Sequence, residues 1–341
     1  MQFSEIIARL VHRQALDERE AEQALTQVLE GDTTPAQTAA FLVALRMKGE
    51  TIAEMTGFAR AMRSKVIPVR TRRRDLVDIS GTGGDYARTF NISTTAAFVA
   101  AGAGAAVAKH VDRSVSSRCS SADLLERLGI CLTLDPEQIA RCIDELGIGF
   151  LYAPRLHPSL KYVAEARRDL GIQTVFDILA PLTNPAGAEA RVLGVYAGSL
   201  TELLAGVLRV LGAASAYVVY GADGMDEFST TGVNKVSRLE GGTITTFALD
   251  SLEFDLPRAS LHELAGGSTD ENVAITQAIL SGERGARRDI VVLNAGVALV
   301  AAGLALDLRE GIQQAEAAID SRAAWRKLQE LGALTQKLKE D

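Results

Sequence analysis

Apolar residues recur at helical spacing from the start of the chain, with Phe3, Ile6, Ile7 and Leu10 along one stripe. Polar start signals then punctuate the N-terminal region. Asp17 with Glu20, Thr34-Pro35 with Gln37, and Thr51 with Glu54 each set a capping residue three positions before a carboxylate or amide. Residues 1 to about 70 therefore read as successive short helices, which bury little alone and are expected to pack on something else. After Arg74 the pattern changes. Apolar runs at 75–79, 105–109, 148–152, 191–197, 215–220, 243–248 and 289–294 are expected strands, most separated by helical stretches such as the one opened by Asp135-Pro136-Glu137-Gln138. Such alternation predicts a largely parallel sheet covered by helices, with ligands at the carboxyl ends of its strands. Residues 157–190 interrupt it with a helix from Leu160 to Leu170 and a Pro-Leu-Thr-Asn-Pro turn, expected to rejoin the helical part. The predicted fold class is α/β. A small all-helical N-terminal domain spans 1–72, completed by about 160–190, and a larger α/β domain with a mostly parallel sheet spans 73–341.

One strand end carries unusual chemistry. Leu76, Val77 and Ile79 run into Gly81-Thr82-Gly83-Gly84-Asp85, and Thr89, Asn91, Ser93 and Thr94 precede the helical run Ala96 to Ala101. Strand, glycine turn and helix N-terminus together make an anion site, because glycines let backbone N–H groups approach and the helix dipole favours negative charge. The plainer alternative is a tight turn with Ser93 or Thr94 as N-cap. The spacing is that of neither a Walker loop nor a G-x-G-x-x-G fingerprint. Asp85 tips the balance: a carboxylate beside a phosphate repels it unless it orients a sugar hydroxyl or faces a metal. A sugar phosphate is the expected ligand.

Further clusters lie after other strands. Lys109, His110 and Arg113 precede Ser114, Ser116, Ser117, Arg118, Ser120 and Ser121, a mixture of cations and hydroxyls suited to a pyrophosphate. His110 alone is assigned no acid–base role. Asp226 and Glu227, after the strand 215–220, are an oxygen-ligand pair for Mg²⁺, which uses one or two carboxylates plus substrate phosphates. Arg167 and Arg168 point to different faces of one helix, so one can bind an anionic substrate while the other is solvated; spacing leaves open which.

Composition narrows the class. The chain has 341 residues, 47% hydrophobic and 23% charged, with a formal net charge of −7. That is ordinary globular composition, and its acidity weighs against nucleic acid or an acidic membrane as the main partner. Cys119, Cys131 and Cys142 lack metal-ligand spacing and are too few for a disulfide framework. The longest apolar run, Val291 to Leu304, is too short to span a bilayer, and a cytoplasmic protein is expected.

The clusters at 78–95, 109–121, 157–171 and 221–229, in this order, resemble the anthranilate phosphoribosyltransferase family over nearly the whole chain. The resemblance implies a nucleoside phosphorylase and phosphoribosyltransferase-like fold, a homodimer through the helical domain, and Mg²⁺-dependent transfer from phosphoribosyl pyrophosphate (PRPP) to the amine of anthranilate. It implies PRPP contacts at Gly81, Gly84, Asp85, Thr89, Asn91, Ser93, Thr94, Lys109, Arg113, Ser114, Ser116, Ser117 and Ser121. It also implies metal contacts at Ser93, Asp226 and Glu227, and acceptor contacts at Gly81, Asp112 and Arg167. The chain departs from the family where Val111-Asp112 stands for Gly-Asn, Gln173 for arginine, Asp177 for asparagine and Ala180 for glycine. Val111 replaces a glycine whose position is expected to need positive φ, which a β-branched residue resists. These changes gather on the acceptor side, so an altered aromatic amine acceptor is the alternative expectation. A non-catalytic nucleic-acid-binding relative is a further one, disfavoured by charge.

Overall fold

The structure is a computed structural model and describes residues 2–85, 87–113 and 118–340. Its N-terminal part is four helices, α1 (Phe3–Val11), α2 (Glu18–Glu30), α3 (Pro35–Lys48) and α4 (Ile52–Lys65). The expected boxes at Asp17, Thr34 and Thr51 all form, each side chain accepting the N–H three residues on. Then come β1 (Leu76–Gly81), α5 (Ile92–Gly102), β2 (Ala106–Val111), α6 (Ser121–Arg127), α7 (Pro136–Leu146) and β3 (Ile148–Tyr152). A helical excursion comes next: α8 (Ala153–Leu156), α9 (Lys161–Leu170) and α10 (Val175–Leu179). The chain closes with β4 (Ala190–Gly194), α11 (Leu200–Val210), β5 (Ser215–Tyr220), β6 (Val233–Glu240), β7 (Thr243–Asp250), α12 (Thr269–Leu280), α13 (Ala286–Ala301), α14 (Leu308–Asp320) and α15 (Ala323–Glu340).

The seven-stranded sheet has the order β3-β2-β1-β4-β5-β6-β7. β1 to β5 pair in parallel, while β6 and β7 form an antiparallel hairpin at one edge. Both faces of the central strands are covered. On β5, Tyr217 and Val219 enter one apolar core and Ala216 and Val218 the other, the period of two that a strand imposes. The first core holds α5, α7 and the C-terminal helices; the second holds α1 to α4, α10 and α11. α9 and α10 return the chain to α2, α3 and α4. Chain direction diverges at β1, whose neighbours are β2 and β4, and open α/β sheets take their ligands beyond the strands' carboxyl ends at such a divergence.

A buried polar cluster around Asp78 joins β1 to β4 and holds the turn that ends the excursion. Asp78 Oδ2 accepts from Arg191 at 3.0 Å and from Asn184 Nδ2 at 2.8 Å, and Oδ1 accepts the His110 N–H at 3.2 Å. Asn184 also donates to the Ala108 carbonyl, so the turn before β4 is tied to β1 and β2.

Two expectations are corrected. Residues 289–294 are not a strand but the middle of α13, buried on nearly all sides. A continuous apolar run has no period to separate a buried helix from a buried strand. β6 is a strand beyond those expected: its partly polar face lies near the sheet edge. Among the described residues, no helix is long and apolar enough to cross a membrane.

Candidate active site

β1 ends where the backbone must pass close to the turn after β5. A Cβ on Gly81 would lie 2.1 Å from Asp226 Oδ2, and one on Gly194 would lie 1.4 Å from the Asp226 carbonyl oxygen. Only glycine allows that approach. The Gly83 N–H donates to Asp226 Oδ2 at 2.7 Å, locking the glycine turn onto the acidic one. Gly84 has φ of +75°, and its carbonyl accepts from Gln173 Nε2 at 3.0 Å, so the α9–α10 connection reaches across to the same turn.

α5 begins at Ile92, with Asn91 at the N-cap making no side-chain capping bond. Ser93 and Thr94 therefore lie inside the first turn, and neither is the N-cap. The Asn91 amide is held instead by Asn272 Nδ2, which donates to its Oδ1 at 3.0 Å, and by the Cys119 carbonyl at 3.2 Å. Thr94 is buried, and the backbone of Thr89 bridges to Ala265.

Three carboxylates converge here. Ligand oxygens of Asp85, Asp226 and Glu227 all lie within 4.8 Å of one another. Burial, then the charge of Asp85, pushes Asp226 up to about 7; burial and the neighbouring Asp226 and Asp85 raise Glu227 well above the ordinary carboxylate value. Glu227 Oε2 is buried without a hydrogen-bond partner. Such a cluster is costly as bare anions and matches a hard divalent cation that takes oxygen ligands, so these residues fit Mg²⁺. Ser93 stands slightly apart, its hydroxyl accepting from Lys109 Nζ at 3.3 Å. Lys109 is fully buried and also donates to the Ile79 carbonyl; burial lowers its pKa against the pull of Asp78, Glu227 and Asp226.

Sequence reasoning missed what steadies this turn. Asn294 of α13 accepts the Phe228 N–H at 3.1 Å and donates to the Phe228 carbonyl at 2.8 Å, imitating a strand partner directly after Glu227. A lone asparagine in an apolar run was the available signal.

The remaining candidates divide. Val111 is the last residue of β2, paired with Tyr152, and it is not among the residues with positive φ, so the expected strain is absent. Asp112 lies exposed at that strand end and accepts the Arg113 N–H at 2.7 Å. Desolvation by surrounding protein raises its pKa; Arg167 opposes the rise and Asp177 adds to it. Ser121 Oγ donates to the Asp112 carbonyl at 3.2 Å. Arg113 turns towards α6: its guanidinium donates to Asp123 at 2.6 Å, Glu126 at 2.8 Å and the Tyr152 hydroxyl at 3.0 Å. Ser114, Ser116 and Ser117 lie outside the described residues. Of the arginine pair, Arg167 turns inward to Asp177 at 2.8 Å, whereas Arg168 is 74% exposed. His110 and His157 stack edge to face with centroids 5.3 Å apart, and neither Nε2 has a partner. Burial lowers them to about 4 and about 3, so both rings are neutral near pH 7.

Residues 73–325 match the glycosyl transferase family a/b domain, and residues 4–66 match that family's helical bundle domain. The anthranilate phosphoribosyltransferase of Moorella thermoacetica is 54% identical over 327 residues, covering 96% of each chain. The chain belongs to the anthranilate phosphoribosyltransferase family. Among solved structures of the family, that from Thermus thermophilus is 42% identical with a TM-score of 0.92, covering 97% of this chain and 99% of that one. The Saccharomyces cerevisiae family member, in complex with PRPP and Mg, is 27% identical with a TM-score of 0.89, covering 98% of each chain.

Proposed function

We propose that this chain transfers the phosphoribosyl group of PRPP to the amine of anthranilate, giving N-(5-phosphoribosyl)anthranilate and pyrophosphate, the second step from chorismate to tryptophan. The observation that carries the reading is the meeting of a glycine turn, an uncapped helix start, a buried lysine and three carboxylates at the carboxyl ends of β1, β2 and β5. It is a donor site for a metal-complexed sugar diphosphate.

In this reading the backbone of Gly81 to Gly84, the first turn of α5 including the Thr94 backbone, and the side chains of Thr89, Asn91 and Ser93 bind PRPP. Lys109 offsets negative charge from beneath, a charge-assisted donor worth roughly 1.5–3 kcal/mol. Asp226 and Glu227, with Asp85 and Ser93 beside them, hold Mg²⁺. When bound, that ion supplies charge neutralisation to the leaving pyrophosphate. Arg113, whose half-exposed guanidinium is shared with Asp123 and Glu126, would border the same pyrophosphate. Ser121, together with Ser114, Ser116 and Ser117, would border the pyrophosphate.

Arg167 takes the acceptor's carboxylate, and Gly81 and Asp112 border the acceptor. An aniline-type amine is already neutral at pH 7, so these residues act by holding it in line with the donor sugar, without a strong base. The reading places the domain division near residue 72, a division supported by the separate matches at 4–66 and 73–325. It also includes a homodimer through the helical domain, supported by the exposed Val11 and Met47 at the ends of α1 and α3. A cytoplasmic setting accords with three free cysteines.

The test monitors loss of anthranilate fluorescence with PRPP and Mg²⁺. Turnover in the wild type and its loss in D226N/E227Q are expected. Tight binding of PRPP with Mg²⁺ but no loss of anthranilate would overturn the proposed acceptor, and no binding of PRPP would overturn the donor.

A further inference from the structure

The acceptor side of the site holds more negative charge than an acidic acceptor calls for. Arg167, the cation assigned above to the acceptor, donates from Nη2 to Asp177 Oδ1 at 2.8 Å, with its guanidinium 5.8 Å from the Phe176 ring centroid. The other oxygen of Asp177 serves the fold. Oδ2 accepts the Thr174 N–H at 2.7 Å and the Thr174 hydroxyl at 3.2 Å, the box that opens α10. Asp177 is therefore fixed by backbone geometry and stays in place when Arg167 is offered another partner. Asp112, at the end of β2, is a second acid acting on the same guanidinium. One cation thus answers to two carboxylates before any substrate arrives. An acceptor that brings a third must share an arginine already paired and meet the repulsion of Asp177 and Asp112. An uncharged acceptor of the same shape meets no such repulsion.

We propose that Asp177 sets acceptor selectivity, standing in for the acceptor's carboxylate on Arg167 and so opening the site to uncharged ortho-substituted anilines alongside anthranilate. This rests on the phosphoribosyl-transfer reading given above. Specificity is a difference between two affinities, and here an internal carboxylate reduces the larger of them. Arg167 and Asp177 are 31% and 26% exposed, so solvent screens the effect, which is expected near tenfold and not in the thousands.

The experiment compares kcat/KM for anthranilate and for 2-aminobenzamide, its uncharged isostere, in the wild type and in Asp177→Asn. Asparagine retains an oxygen for the Thr174 N–H and removes only the charge. The ratio favouring anthranilate is expected to rise about tenfold in the variant, through a lower KM for anthranilate with KM for 2-aminobenzamide unmoved. Should Asp177→Asn fail to fold by circular dichroism, Asp177→Gln keeps a capping-box residue without charge and is read in the same way. An unchanged or falling ratio, or an equal loss with both acceptors, overturns the proposal, the latter showing a purely structural carboxylate. Absence of turnover with either acceptor in the wild type counts against the transfer reading alone. The ratio of dissociation constants for the two ligands on the PRPP-loaded protein then decides the role of Asp177 by the same criterion.

Discussion

Replacing His157 by Gln should remove a defined part of the protein's acid sensitivity. In the fold His157 and His110 are buried ring against ring, and their pKa values fall from the ordinary 6.5 to about 3 and about 4. The unfolded chain takes up these protons near pH 6.5 while the folded chain refuses them, so between the two limits the unfolded state binds more. Stability contributed by the neutral rings is complete above pH 6.5 and is lost as pH falls towards the folded values. For His157 alone, lowering the pH from 7 to 5 costs ~2 kcal/mol by this linkage. The buried carboxylates at the site titrate with the opposite sign, since Asp226 is raised to about 7. They act alike in both chains, and their effect cancels in the difference. Urea unfolding monitored by far-ultraviolet circular dichroism at pH 7 and pH 5 gives that difference directly. The wild type should lose ~2 kcal/mol more than His157→Gln over this interval. Equal losses would refute the argument, because they would mean that the folded state protonates the pair as readily as the unfolded chain does.

Three further perturbations probe the framework. Asn294→Ala strips both backbone partners from Phe228, whose N–H and carbonyl lie in a fully buried residue, and should cost about 4 kcal/mol at roughly 1–3 per orphaned group; a denaturant midpoint shift equivalent to under ~0.5 kcal/mol would contradict it. Glu54→Ala leaves Lys48 buried without its partner at 2.8 Å and removes the acceptor for the Leu16 N–H at 3.0 Å, an expected loss of about 3–5 kcal/mol measured by the same unfolding. Gly81→Ala drives a methyl group to 2.1 Å from Asp226 Oδ2 and should lower turnover by about 10²-fold by displacing the acidic turn; unchanged kinetics would show that the turn does not depend on this approach.

What could be read from residue order was local. The boxes at Asp17, Thr34, Thr51 and Asp135 form as their spacing requires, because each is closed within four residues. Glycines next to a strand end, and an acidic pair after another, likewise carry their meaning in adjacent positions. What failed was tertiary. The run at 289–294 is a helix because it is surrounded by other elements, a fact no periodicity records. β6 did leave a signal, Gly241-Gly242 at φ of +54° and +78° linking two stretches of equal length, the geometry of a two-residue hairpin. Arg113 pairs with Asp123 and Glu126, ten and thirteen residues away on the next helix, contacts its neighbouring serines do not announce. The pairing of His110 with His157 and the union of Asp85 with Asp226 and Glu227 depend on which strands lie side by side.

The α9–α10 excursion has an evolutionary consequence. Arg167, Gln173 and Asp177 sit within a stretch of chain secured mainly by helix packing, while the glycine turn and the acidic pair are secured by strand ends. On the proposed assignment of donor and acceptor residues, a duplicated gene can therefore explore new nucleophiles by exchanging a few side chains in that one stretch, with the glycine turn and acidic pair left intact. Substrate drift along such a lineage should be concentrated there, and largely invisible at the strand ends.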